Sequence, residues 1–386
     1  MFVLAVAGCA AQGGGEAEAA ALAARHAGPL AAFRTALERS ARPDSAKDRP
    51  HGLAVIQIGD SHTANDAFSG RMRELLQARV GDGGRGMLPP GIPHDWYRPA
   101  RVSVTNDGFR IVRAAPVGLP ALRQHADGPA SMTISAQPGE FEHTSIEVLT
   151  QPGGGTIEIT TSDGRMARVS TAGPAAPRRV QAPTTTATAW VQVAAMGDGA
   201  VDMLSWTAER GRGGATWSNL GTVGATMELM QRWDTHIAAG ETLSLQPALI
   251  VLAFGTNEGF KDSTDLEAYP ALVRATIRRL RAAAPRASIL VAGPPGGVRP
   301  ARLGGTACPD AAYAVPANLP RVRAILRRVA AAEGAAFWDW SEAMGGDCAI
   351  IAWSQTDPPM AARDHVHLLV PGARATAEAL FAFLMR

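Results

Sequence analysis

The residues of this chain that could do chemistry together are Ser61, Asn257, Asp364 and His367. Ser61 stands in AVIQIGDSHT, residues 54–63, where an apolar and partly β-branched run ends in Gly-Asp-Ser. A serine hydroxyl is a weak nucleophile; it needs a base within hydrogen-bond reach, an acid to orient that base, and donors for the oxyanion that attack creates. The segment DHVHLLVPG sets Asp364 three residues before His367. Such a loop can present both side chains on one side, with His367 as general base for Ser61 and Asp364 holding the imidazole in the right tautomer. His365 competes for the same role. In GTNE, residues 255–258, the Asn257 amide can donate to a developing oxyanion. In WSNLGTVGATMELM, Gly221 and Gly224 let a backbone N–H approach a ligand closely. Each residue also has a plainer use: Ser61, Asp60 or Thr63 can cap a helix, Asn257 can close an Asx-turn, the glycines can serve turn geometry, and Asp364 and His367 can be solvated residues ahead of a helix.

The elements that must position these residues are legible as alternating strands and helices. Residues 54–58 read as a central parallel strand, and Phe68, Met72, Leu75, Leu76 and Val80 follow at helical spacing. ALIVLAF, residues 248–254, is a second buried strand leading directly into polar chemistry. A helix over 266–280, a strand over 288–292, a helix over 321–332 and a strand over 335–338 continue the alternation. A terminal helix carries Leu380, Phe381, Phe383 and Leu384. At least four parallel strands in a doubly wound α/β sheet are expected, and ligands of such sheets lie at the carboxyl ends of the strands.

Between about 102 and 210 the pattern changes to short strands and turns: SMTISA (131–136), TSIEVLT (144–150), a hairpin over 155–171 turning at Ser162-Asp163-Gly164-Arg165, and ATAWVQVAAM (187–196). This reads as an inserted β-sandwich. Trp190 and Trp206 could stack on sugars, but their apolar neighbours favour core positions. Residues 81–91, with five glycines, read as a loop shaping the rim of the site; a phosphate cradle is disfavoured because no strand precedes it and no Lys-Ser/Thr follows. Trp96 or Tyr97 either lines a glycan cleft or packs at the domain junction.

Four blocks in this order, GDSHT (59–63), GTVGAT (221–226), GTNE (255–258) and DHVH (364–367), resemble the SGNH (GDSL-type) hydrolase superfamily. The resemblance implies a flavodoxin-like three-layer α/β sandwich with Ser61 as nucleophile. By the same match Gly224 and Asn257 join the Ser61 backbone N–H in the oxyanion hole, and Asp364 with His367 completes the triad. Gly224 is preferred to Gly221 because it stands where the family puts glycine just before an acidic or small residue and threonine. His62 replaces the usual leucine and, facing a different way, is not expected to replace His367. GDGGRGMLPPG (81–91), FWDWSEAMGG (337–346) and the long insertion also look like the peptidoglycan O-acetylesterase group of Gram-negative bacteria, which carries a β-rich module resembling a carbohydrate-binding domain in that place. The catalytic resemblance covers residues 50–104 and 213–386. The implied organisation is a leader, tether and N-terminal helix over 1–49, a catalytic domain over 50–104 and 211–386, and the inserted β-rich domain over 105–210.

With 46% hydrophobic and 19% charged residues, the chain can build a sizeable core. Its formal charge of +2, with no basic block, argues against nucleic acid as a partner. No apolar run reaches the ~18 residues of a transmembrane helix. Cys9 follows VLAVAG as AGC and looks like a bacterial lipoprotein processing site, although only eight residues precede it and none is basic. The alternative is an ordinary buried or trimmed cysteine. Cys308 and Cys348 then form an even pair, and in an oxidising compartment a disulfide follows. No close Cys/His spacing of the zinc kind exists, so no metal or organic cofactor is expected.

The chain is therefore expected to be a serine esterase of the periplasm or outer membrane. It would remove acetyl or another small acyl group from an envelope polysaccharide such as peptidoglycan, through an acyl-enzyme, with any membrane contact made through a lipid on Cys9. The rival is an O-acyltransferase using the same serine to pass the acyl group to a sugar. A non-catalytic glycan-binding protein on a decayed hydrolase fold is disfavoured by the intact set of Ser61, Asn257, Asp364 and His367.

Overall fold

The computed structural model describes residues 27–42, 52–137, 139–184, 187–211 and 213–386. Cys9 and the expected tether lie outside these residues. Five parallel strands form the central sheet: β1 (Leu53–Gly59), β2 (Ala215–Gly221), β3 (Leu249–Ala253), β4 (Ser288–Ala292) and β5 (Ala336–Trp338), in the order β2-β1-β3-β4-β5. Every residue of β1, β3 and β4 is buried, because helices cover both faces. On one face Leu53, Val55 and Val251 pack with Phe33 of α1 (Ala31–Ser40), Phe68 and Met72 of α3 (Ala67–Val80), and Leu380 of α10 (Val370–Leu384). On the other, Ile56, Ile58 and Leu252 pack with Leu245 of α4 (Thr235–Leu245), Ile277 of α6 (Tyr269–Ala283) and Leu326 of α7 (Asn318–Ala332).

Alternate residues of one strand thus feed two cores, giving the three-layer sandwich the sequence implies. Strand order reverses at β1, which lies between β2 and β3, so the carboxyl ends of β1 and β3 frame the switch-point crevice. Short helices start at both ends: α2 (Ser61–Ala64) after β1 and α5 (Thr256–Phe260) after β3. Between β5 and α10 lie α8 (Trp340–Met344) and α9 (Ala349–Ser354). The edge strand β2 escapes the sequence pattern because Thr216, Ser218 and Asn219, although buried, interrupt its apolar run.

The insertion is a two-sheet antiparallel sandwich. Val102–Asp107, Ala130–Ala136, Trp190–Ala195, Thr156–Thr161 and Met166–Ser170 form one sheet; Ala176–Gln181, His143–Thr150, Val201–Glu209, Arg123–Ala126 and Arg110–Val112 form the other. Its core holds Ile134, Ile146, Ile159, Val193 and Met203. Trp206 is fully buried there and donates its indole N–H to the Pro89 carbonyl at 3.1 Å, whereas Trp190 is half-buried. The strand Val102–Asp107 straddles residues 104 and 105, where the insertion is expected to begin.

The rim loop expected over residues 81–91 is corrected. Gly84–Leu88 is a strand, buried except at its first residue, that pairs antiparallel with Val201–Glu209 and joins the second sheet of the sandwich. Glycine is depleted in strands and offers no alternating side chains, so composition hides this pairing. Trp96 is 73% exposed, and Tyr97 is buried. Cys308 and Cys348 form a disulfide with Cα atoms 5.8 Å apart, joining the loops after β4 to the start of α9. Among the described residues, no helix is long and apolar enough to cross a membrane.

Candidate active site

Ser61 leaves β1 at the first residue of α2, and the cap of that helix is Asp60, whose carboxylate accepts from the His62 N–H at 3.0 Å. The N-cap explanation of Ser61 therefore fails: its neighbour does that work. The corner is tight because a Cβ on Gly59 would lie 2.3 Å from Thr63 Oγ1 and 2.5 Å from the Ala253 carbonyl. Gln57, wholly buried in β1, donates to Thr63 Oγ1 at 3.0 Å and accepts from Trp217 Nε1 at 2.8 Å.

His367 Nε2 lies 3.0 Å from Ser61 Oγ, and His367 Nδ1 lies 2.7 Å from Asp364 Oδ2. The other Asp364 oxygen accepts the backbone N–H groups of Val366 and His367 at 2.9 and 3.0 Å. Burial works against the Asp364 charge, but the His367 contact and these two N–H donors outweigh it and hold the carboxyl below its usual range. Asp364 thus stays an anion that can orient an imidazole and stabilise it when protonated. His365, the competing base, turns away: its Nε2 lies 3.1 Å from Ser354 Oγ and its ring packs on Tyr313.

Asn257 sits in the first turn of α5 with Nδ2 donating to the Ala225 carbonyl at 2.8 Å. That uses one amide hydrogen and leaves the second for another acceptor. The same bond fixes a turn in which the Ala225 N–H reaches the Thr222 carbonyl and Gly224 takes φ +72°, a conformation that favours glycine. Gly224 is exposed, whereas Gly221 is packed so closely on α2 that a Cβ would meet the Ala64 nitrogen at 2.2 Å. Of the two glycines, Gly224 is the one free to face a ligand.

Several supporting residues escape motif reading. Asn219 Nδ2 contacts the Thr63 carbonyl, Asp66 Oδ1 and Ser69 Oγ, while Asn219 Oδ1 accepts the Gly221 N–H, tying the corner of Ser61 to β2. Glu258 Oε1 accepts from the Met227 N–H at 2.8 Å and the Tyr269 hydroxyl at 3.2 Å, anchoring the strap that follows Gly224. Burial pushes the Glu258 carboxyl up to about 7. Glu258 stands in GTNE shortly after a buried strand, which is a signal of position, whereas Asn219 lies inside β2 and carries no local signal. Among the described residues, no group of three or more His, Cys, Asp and Glu side chains could hold a metal ion.

The family model for GDSL-like lipases and acylhydrolases matches residues 183–375, half of the chain, a span that holds Gly224, Asn257, Asp364 and His367. The chain belongs to the GDSL-like lipase/acylhydrolase family. As a member it is a carboxylic ester hydrolase on the SGNH α/β sandwich. It is similar to a solved peptidoglycan O-acetylesterase at 25% identity and TM-score 0.77, over 93% of this chain and 95% of that one. Partial likenesses include the acetyl xylan esterase AlAXEase (18% identity, TM-score 0.32, 44% of this chain and 80% of that one). Another is a family two carbohydrate esterase from Clostridium thermocellum in complex with cellohexaose (13% identity, TM-score 0.31, 73% and 98%). No curated protein sequence matches the chain.

Proposed function

We propose that this hydrolase removes O-acetyl groups from a cell-envelope glycan, peptidoglycan in the first place, through an acetyl-enzyme on Ser61. The observation that carries the reading is the continuous relay from Asp364 through His367 to Ser61, at 2.7 and 3.0 Å, with Asn257 in the first turn after the neighbouring strand β3 using one amide hydrogen on the Ala225 carbonyl. The likeness to a peptidoglycan O-acetylesterase over nearly the whole chain, insertion included, supports the substrate class.

In this mechanism His367 Nε2 takes the Ser61 proton as Oγ attacks the ester carbonyl. The backbone N–H groups of Ser61 and Gly224 and the second Nδ2 hydrogen of Asn257 receive the oxyanion. His367 then returns the proton to the departing sugar oxygen, leaving acetyl on Ser61. Water, deprotonated by the same imidazole, cleaves that ester and regenerates the serine. The half-exposed flanks of His367 and Asp364 suit a bulky polymer approaching from solvent. An envelope location, periplasmic or anchored to the outer membrane, is part of the same proposal.

The test is acetate release from O-acetylated peptidoglycan by the wild type and by Ser61→Ala, with and without a sugar acceptor. Release by the wild type alone is expected, with a rate loss in the variant on the order of 1000-fold or more. Equal release by both would overturn the mechanism, and acetyl passing to the sugar in preference to water would replace the hydrolase with a transferase.

A further inference from the structure

His62, in the place where leucine is usual, has no part in that mechanism, yet it is 3% exposed and fully engaged. Its Nε2 lies 3.0 Å from the Val366 carbonyl oxygen, and its Nδ1 lies 3.3 Å from Asp60 Oδ1, with Thr256 Oγ1 more distant at 3.5 Å. A carbonyl oxygen and a carboxylate oxygen only accept. Both nitrogens are therefore satisfied together when each carries a hydrogen, which makes the ring an imidazolium. The ring lies against His367, centroids 5.4 Å apart and planes 22° from parallel, while Trp340 packs on it edgewise.

We propose that His62 is a resident cation beneath the catalytic base. It ties the loop of Asp364 and His367 to the nucleophile corner and sets a positive ring against the His367 imidazole. The inference rests on the serine reading above. Among the described residues, the charged and titratable groups facing His62 are Asp60 from the β1–α2 corner and Asp364 and His367 from the carboxyl-terminal loop. The helices α5 and α8 contribute the uncharged Thr256 and Trp340. Burial opposes the cation, but the Asp60 hydrogen bond and charge, the Val366 carbonyl and the Asp364 charge outweigh it and raise the pKa of His62. A leucine here would leave the Val366 carbonyl without its donor and the buried Asp60 carboxylate without its counter-charge.

The experiment records kcat/KM for p-nitrophenyl acetate against pH in the wild type, His62→Gln, His62→Leu and Ser61→Ala, together with 15N NMR of the wild-type imidazoles. Glutamine keeps a donor for Val366 without the charge; leucine removes both. Loss of a unit charge at the observed spacing predicts that the acid limb of the profile moves to higher pH by roughly 0.5–2 units in both His62 variants. Loosening of the loop predicts a plateau lower in His62→Leu than in His62→Gln, by up to ~100-fold. In the NMR spectrum both His62 nitrogens are expected to be protonated at about pH 7. An unmoved acid limb in His62→Gln, or a neutral His62 in the wild type at that pH, overturns the proposal while Ser61→Ala remains inactive. Turnover retained in Ser61→Ala would instead bring down the serine reading, and this inference with it.

Discussion

In the parallel sheet, β1 is buried along its whole length and its chemistry begins where it stops; in the inserted sandwich, buried and half-exposed residues alternate along Thr156–Thr161 with no such terminus. A strand sealed on both faces can present polar groups only at its ends, and the reversal of strand order at β1 leaves room there for a ligand. Along Thr156–Thr161 the half-exposed positions hold Thr156, Glu158 and Thr160, and Glu158 pairs with Arg168 on the neighbouring strand. The groups that the proposal makes catalytic accordingly lie on four separate segments, three of which follow β1, β2 and β3, while the sandwich is organised around its own apolar core and Trp206. The two units are coupled by Gly84–Leu88 and by Glu241 of α4. Glu241 Oε2 accepts the Leu119 N–H at 2.6 Å, and its Oε1 lies 2.7 Å from Ser205 Oγ in the sandwich.

This contrast can be broken first at the sheet end. Asn257→Ala removes the amide proposed to receive the oxyanion and the bond to the Ala225 carbonyl, so kcat should fall by roughly 100- to 1000-fold with little change in melting temperature. An equal loss of stability would make Asn257 a scaffold residue and erase the distinction between strand end and strand body.

At the junction the expectation is reversed, with stability changing and chemistry preserved. Burial pushes the Glu241 carboxyl up to about 7 from its ordinary 4.5, so the folded state binds that proton more tightly than the unfolded chain. Its contribution is fully present below about pH 4.5 and is lost as pH rises through about 7, for a total of ~3 kcal/mol. Glu241→Gln imitates the protonated form, with a carbonyl for Leu119 and an N–H for Ser205. Urea unfolding at about pH 5 and pH 8 should show a smaller difference in the variant than in the wild type. An unaltered difference would remove Glu241 from the coupling of the two units.

The sequence displays most of the parallel sheet because ALIVLAF and its fellows are continuous apolar runs, and it displays the site because polar residues follow those runs immediately. What it hides depends on tertiary partners. The strand β2 is interrupted by buried polar residues, and Gly84–Leu88 carries glycine at two of its five positions, so no periodicity marks them. Asp66 gives no local sign that Arg73, Arg85, Asn219 and the Ala100 N–H converge on its carboxylate. His62 as the partner of Val366 depends on a loop some 300 residues away in the chain.

The central claim is that Ser61, activated by His367, carries the acyl group. Its most direct test is acid quenching during turnover of an acetyl ester, followed by mass spectrometry of the digested protein. The account predicts a single acetyl group on the peptide containing Ser61, absent when His367 is replaced by alanine. Turnover without any acetylated intermediate at Ser61, or acetyl on another residue that persists in Ser61→Ala, would contradict it.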